Sequence, residues 1–179
     1  MQKRPLADAT RLDITMQRLC YQLIENHGDF SKTALIGLQP RGVFVARRLK
    51  AHLERILEGR KILLGELDVT FYRDDFRRRE ILAPSATNMD FVIEGLKVVL
   101  VDDVLYTGRT IRSGLDALID FGRPKAIQLV VLVDRGHREL PVKADYVGKN
   151  LPTSLEQSVQ VRFEETDGVD EVTLQGEAS

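Results

Sequence analysis

The chain has 179 residues, of which 43% are hydrophobic and 30% charged, and its formal net charge is −1. That length suits one domain with a single substantial core, and the composition excludes a disordered chain. The near-neutral total excludes a global cationic field for nucleic acid while leaving room for a local basic face, and a lone cysteine, Cys20, excludes an intrachain disulfide or a cysteine-rich zinc site.

Met1–Pro5 is not followed by an apolar run of signal-peptide length, and no stretch reaches membrane-spanning length, since even Val98–Val101 runs into Asp102-Asp103. The cytoplasm is the expected location, and no membrane partner is expected. Leu12, Met16, Leu19 and Leu23 recur at helical spacing behind Asp8 or Thr10 as a cap, so a first helix is expected to end near Asn26–Gly28. Thr33–Leu38 reads as a short buried strand, broken by Gln39-Pro40-Arg41-Gly42. Val43, Ala46, Leu49, Leu53 and Ile56 outline a second helix that stops near Gly59, and Ile62–Tyr72 reads as a strand. From Arg73 to Phe91 the apolar pattern fails, and a loop of that length in a compact domain is usually functional or mobile. Lys97–Val101 resumes as a buried strand. Asp102–Arg109 reads as a loop, and Thr110–Phe121 as a helix stopped by Gly122 and Pro124. Ala126–Val133 is the next strand, and short strands near Asp145–Val147, Val159–Phe163 and Val172–Leu174 complete the chain. This alternation predicts a single α/β domain over residues 1–179, a mostly parallel twisted sheet flanked by helices.

Open parallel sheets bind ligands beyond the carboxyl ends of their strands. Val98-Val99-Leu100-Val101-Asp102-Asp103-Val104-Leu105-Tyr106-Thr107-Gly108-Arg109-Thr110 occupies such a place. Two adjacent carboxylates there can accept hydrogen bonds from sugar hydroxyls. Just downstream, Gly108 allows close backbone approach, and a helix N-terminus flanked by Thr107 and Thr110 suits a phosphate. A phosphate and a polyol bound side by side follow. The plain alternative is an acidic pair that only ends a strand and a threonine that only caps a helix. Gly37–Gly42 has the glycine spacing of a Walker-type loop, but Val43-Phe44 stands where Lys and Ser/Thr are required, so that reading is rejected.

The segment Val98–Thr110 resembles the ribose-phosphate pyrophosphate motif of type I phosphoribosyltransferases. Leu132–Pro141, Gly148-Lys149-Asn150 and Tyr72-Arg73-Asp74-Asp75 resemble one family among them, the bacterial bifunctional pyrimidine-operon attenuation regulators and uracil phosphoribosyltransferases (the PyrR family). The similarity runs from about Leu6 to Leu174. It implies a type I phosphoribosyltransferase fold with a flexible hood loop over Tyr72–Asn88, including Tyr72, Arg73, Asp74 and Asp75. Substrates would be 5-phosphoribosyl-1-pyrophosphate (PRPP) and uracil, the product UMP, and the cofactor Mg²⁺, held through substrate near Asp102 and Asp103. PRPP and UMP would be bound by Pro40, Arg41, Gly42 and the segment Val98–Thr110. Asp102, Asp103 and Arg41 would carry catalysis, with Arg41 as the cation for pyrophosphate. Pro40 departs from the threonine expected in the family. Val133, Asp134 and Arg135 would line the uracil pocket. His137 reads as a local hydrogen-bonding residue ahead of a general base, and Arg77-Arg78-Arg79 as a solvated run or a phosphate contact.

The resemblance also implies leader mRNA of the pyrimidine operon as a partner, bound in response to UMP or UTP, with Arg18, Arg138, Lys143 and Lys149 at basic positions of the RNA-facing surface. Gln17, Tyr21, Asn26 and Gly28 depart from the RNA-binding pattern in the first helix. The rival readings are an enzyme that has lost its RNA face, a PRPP- or UMP-sensing regulator without catalysis, and a purine transferase. A homodimer or larger homo-oligomer is expected.

Overall fold

The structure, a computed structural model, describes residues 3–72 and 87–176. Five parallel strands form the central sheet in the order β3-β2-β4-β5-β6: β2 (Thr33–Leu38), β3 (Leu63–Leu67), β4 (Lys97–Leu105), β5 (Ala126–Asp134) and β6 (Tyr146–Asn150). All six residues of β2 are buried, as a strand covered on both faces requires. On one face α1 (Ala9–His27) and α2 (Gly42–Ile56) bury Leu12, Met16, Leu19, Leu23, Leu49 and Leu53 against Val99, Val101, Val130 and Leu132. On the other, α3 (Arg109–Leu118) buries Ile111, Ala117 and Leu118 against Val98, Leu100, Leu129 and Val131.

Of the two candidate caps of α1, Asp8 holds the position: its carboxylate accepts the Arg11 N–H at 2.9 Å. The helix stops at Gly28, where φ is 58° and the N–H returns to the Ile24 carbonyl. Three boundaries differ from the sequence reading. The strand expected over Ile62–Tyr72 ends at Leu67, after which the Asp68 carboxylate accepts the Thr70 N–H and a 3-10 turn forms over Thr70–Tyr72. The loop expected over Asp102–Arg109 is strand as far as Leu105, because Val104 and Leu105 pair with Val133 and Asp134 of β5. The third helix gives way to a 3-10 turn at Ile119–Phe121.

A second, antiparallel sheet has the order β1-β8-β7, formed by β1 (Lys3–Ala7), β7 (Ser158–Arg162) and β8 (Glu171–Gln175), with the short α4 (Glu164–Asp167) between the last two. β1 escapes sequence reading because Lys3-Arg4-Pro5 has no apolar alternation. It is an edge strand, where proline is tolerated.

The strand order places the site. From β2 the chain moves outward to β3, and from β4 it moves the opposite way through β5 to β6. The reversal lies between β2 and β4, and there the loops after both carboxyl ends diverge and leave a crevice. Gln39–Arg41 follows β2 and Tyr106–Gly108 follows β4, so the two suspected segments sit side by side at the switch point.

Candidate active site

The strand β4 carries the acidic pair out of the core. Val98, Val99, Leu100 and Val101 have no exposed surface, so these four members of the suspected binding segment hold the strand in place and do not face a ligand. The same holds for Leu105. The alternation of the strand, with Val98 and Leu100 in one cluster and Val99 and Val101 in the other, breaks after the pair. There Val104 packs on the α1/α2 side and Leu105 on the α3 side. Both carboxylates are tied to the strand's own backbone: Asp102 Oδ1 accepts the Asp103 N–H at 3.0 Å, and Asp103 Oδ1 accepts the Val104 N–H at 2.8 Å. Burial pushes the Asp103 carboxyl above its usual range, against the pull of the Val104 N–H, of Asp102 and of the Arg41 charge.

The start of α2 presses against this pair. A Cβ on Gly42 would collide with the Val101 carbonyl oxygen and lie 3.0 Å from Asp102 Cα and 3.1 Å from Asp102 Oδ1. Only glycine allows that approach. Before it stand the cis Gln39–Pro40 bond and Arg41, whose side chain reaches β7 and α4. Nη1 donates to the Val161 carbonyl at 3.0 Å and to Asp167 Oδ2 at 2.9 Å, and Nη2 donates to Asp167 Oδ1 at 3.2 Å. Arg41, Asp103, Val159, Gln160, Val161, Arg162 and Asp167 line a cavity of about 290 Å³. The structure thus brings Arg41 and Asp103 together and adds residues of β7 and α4 that sequence reading missed. No local spacing could have signalled them, since Arg41 and Asp167 lie 126 positions apart.

Downstream of the pair, Gly108 caps α3 in the left-handed region at φ 91°. Gly108 is buried, with Thr107 half-buried and Arg109 exposed beside it. Thr107 Oγ1 accepts the Arg109 N–H at 3.3 Å, and Arg109 Nε donates to Glu139 at 2.8 Å. Thr110 lies in the first turn of α3. The segment Arg135–Val142 is bound to this turn: Thr107 O accepts the N–H groups of Glu139 and Leu140, and the Arg135 guanidinium stacks 4.0 Å from the Tyr106 ring centroid.

The suspected base pocket lies at the carboxyl end of β5. Val133 is buried in the α1/α2 cluster. Asp134 is half-buried and paired with Arg138, and Arg135 is buried, bonding Thr153 Oγ1 at 3.3 Å and Ser154 O at 3.2 Å. His137 Nε2 bonds the Thr153 carbonyl at 2.5 Å, which assigns the proton to that nitrogen because a carbonyl only accepts. Among the basic residues of the suspected RNA face, Arg18 donates to the carbonyls of Val147 and Gly148, and Arg138 to those of Val142 and Tyr106. Lys143 and Lys149 are exposed. On α1, Tyr21 is exposed, Gln17 bonds Asp13, Asn26 bonds the Gln22 carbonyl and Gly28 ends the helix. Of the hood residues, Tyr72 is described, its hydroxyl donating to Asp120. Arg73, Asp74, Asp75 and Arg77-Arg78-Arg79 lie outside the described residues.

Among the described residues no group of three or more His, Cys, Asp or Glu side chains is placed to hold a metal ion, and no helix is long and apolar enough to cross a membrane. Two adjacent carboxylates, one of them bordering the Arg41 cavity, do suit Mg²⁺, which takes one or two carboxylates and completes its shell with phosphate oxygens and water. The residues therefore fit a magnesium ion.

A family described as "Phosphoribosyl transferase domain" matches residues 6–166. Similar proteins include the Bifunctional protein PyrR of Elusimicrobium minutum, 50% identical over 170 residues covering 94% of each chain. The Bifunctional protein PyrR of Bacillus subtilis is 45% identical over 177 residues covering 97% of each. Among solved structures, a hypoxanthine phosphoribosyltransferase of Staphylococcus aureus superimposes with a TM-score of 0.69 at 18% identity, over 94% of this chain and 90% of that one. That likeness is one of fold. The chain belongs to the phosphoribosyl transferase domain family, in its bifunctional PyrR branch.

Proposed function

We propose that this protein transfers the 5-phosphoribosyl group of PRPP to uracil, giving UMP and pyrophosphate, and that it also regulates the pyrimidine operon by binding leader mRNA in response to uridine nucleotides. One observation carries the first part: the acidic pair at the end of β4 lies between the Arg41 cavity and the Thr107–Thr110 turn at the switch point of the sheet. This order matches the order of groups in PRPP, with ribose hydroxyls between a 5-phosphate and a pyrophosphate.

Asp102 and Asp103 accept the ribose hydroxyls. The amides of Thr107–Thr110, at the start of α3, take the 5-phosphate. Arg41 faces the pyrophosphate with its charge and with the Nε and second Nη2 N–H groups that Asp167 and Val161 leave open. Asp102 and Asp103 would hold magnesium through the substrate, and the ion would offset charge on the leaving pyrophosphate. The C1–oxygen bond to pyrophosphate breaks, the C1–N1 bond to uracil forms, and the N1 proton is released. Backbone groups of Val133–Arg135, stiffened by the Arg135 bonds to Thr153 and Ser154, orient the base. Positioning and preorganised charge account for such a reaction without a dedicated acid or base, in keeping with His137 being committed to a carbonyl.

Purified protein given uracil, PRPP and Mg²⁺ is expected to form UMP, and Asp102→Asn with Asp103→Asn to abolish it. Absence of turnover in the parent chain, with PRPP binding intact, would reduce the protein to a sensor. Hypoxanthine or guanine outcompeting uracil would make it a purine transferase. For the regulatory part, Lys143 and Lys149 supply exposed cations, and a gel shift with leader RNA is expected to strengthen with UMP and weaken with salt. No retardation at low salt would leave an enzyme only. A cytoplasmic location and a homo-oligomer of at least two copies complete the proposal, and sedimentation tests the assembly.

A further inference from the structure

The Arg41 side chain is held by a part of the fold that supplies none of the suspected substrate contacts. Asp167 closes α4 and receives the guanidinium as a two-pronged pair, while the Val161 carbonyl of β7 takes a third bond. The carboxylate is itself fixed: Oδ2 also accepts the Phe163 N–H at 2.9 Å, and the turn ends at Gly168 in the left-handed region. Its ionised form is favoured, since the Arg41 bond pulls its pKa down to about 2. Nε of Arg41 is left out of the grip of Asp167 and Val161, and the guanidinium borders the same cavity as Asp103.

We propose that Asp167 is a positioning residue for the anion site: from α4, between two strands of the antiparallel sheet, it grips the Arg41 fork and presets the guanidinium beside Asp103 to receive the pyrophosphate group. This rests on the reading of Arg41 as the pyrophosphate cation. A free arginine gives up considerable rotamer entropy when it binds an anion. An arginine already held by a fixed carboxylate has lost that freedom before the ligand arrives. The arrangement also makes the second sheet part of the site, because α4 and β7 hold the tool that the central sheet lacks.

Calorimetry on the full chain tests the proposal with three ligands: inorganic pyrophosphate with Mg²⁺, PRPP with Mg²⁺, and UMP, which has no pyrophosphate group. Asp167→Asn keeps an acceptor for the Phe163 N–H, so α4 retains its anchor. It is expected to weaken pyrophosphate and PRPP about tenfold, the scale of one charged hydrogen bond, and to leave UMP unchanged. Asp167→Glu is expected to recover part of the loss, and Asp167→Asn to add nothing in an Arg41→Ala background. Equal loss of UMP affinity would show a general structural role and overturn the proposal. Tighter pyrophosphate binding would show the carboxylate to be a competitor and overturn it likewise. Arg41→Ala separates the two levels. If it leaves pyrophosphate binding intact, the reading of Arg41 fails. If it weakens binding while Asp167→Asn does not, only the positioning role fails.

Discussion

At the scale of single residues, charge placement decides what the site can hold. Arg41 is flanked by a carboxylate that anchors it and by another, Asp103, that shares its cavity. The Asp167 pair also links stability to pH. Its pKa falls from an ordinary 3.8 to about 2 in the folded protein. A depressed carboxylate contributes stability above its unfolded value and loses it as pH falls through the folded one. Denaturation midpoints are therefore expected to drop between about pH 4 and pH 2, and the drop is expected to be shallower in Asp167→Asn, measured at a series of acid pH values. The acidic pair, the small-residue turn and Arg41 are legible in the sequence, because each follows a buried apolar run within a few residues. Asp167 is not, because its meaning lies in a partner that only the fold brings near. Arg18, exposed, and Arg138, half-buried, each bond backbone carbonyls as well, and Arg138 pairs with Asp134, contacts that no local spacing signals.

At the scale of elements, close backbone approach sets the geometry. The start of α2 can touch β4 at Asp102 only because residue 42 lacks a side chain. Gly42→Ala is expected to push the helix off the strand, with a loss of about 1–3 kcal/mol in stability. PRPP affinity should fall with it, and calorimetry beside a urea titration reads both. The helices were legible from their 3.6-residue stripes, and β2 and β5 from their apolar runs. The extent of β4 was not. Asp102, Asp103 and Val104 read as loop by composition, yet the hydrogen-bond ladder with β5 carries the strand to Leu105. Tertiary pairing overrode local propensity there, and the result is that the carboxylates sit on a rigid strand end.

At the scale of the whole molecule, two sheets meet at the site. The parallel sheet provides the switch point, and the antiparallel sheet provides a wall of the cavity. The sequence shows β7 and β8 as short strands, but not the polar β1 that pairs with β8 or the separation of these three strands into a second sheet. Arg48 of α2 ties the two together, bonding Glu165 at 2.9 Å and Asp170 at 2.7 Å, with its guanidinium 5.2 Å from the Phe163 ring centroid. The group is partly buried, between the worth of an exposed pair and that of a buried one, so Arg48→Ala is expected to cost about 1–2 kcal/mol by urea denaturation. Because α4 would then be released, pyrophosphate affinity is expected to fall further than UMP affinity. The most direct measurement is a crystal grown with PRPP and Mg²⁺. The ribose hydroxyls should lie within hydrogen-bonding distance of the Asp102 and Asp103 carboxylates, the 5-phosphate on the amides of Thr107–Thr110, and the pyrophosphate at Arg41. A sugar phosphate bound away from the ends of β2 and β4 would contradict the account.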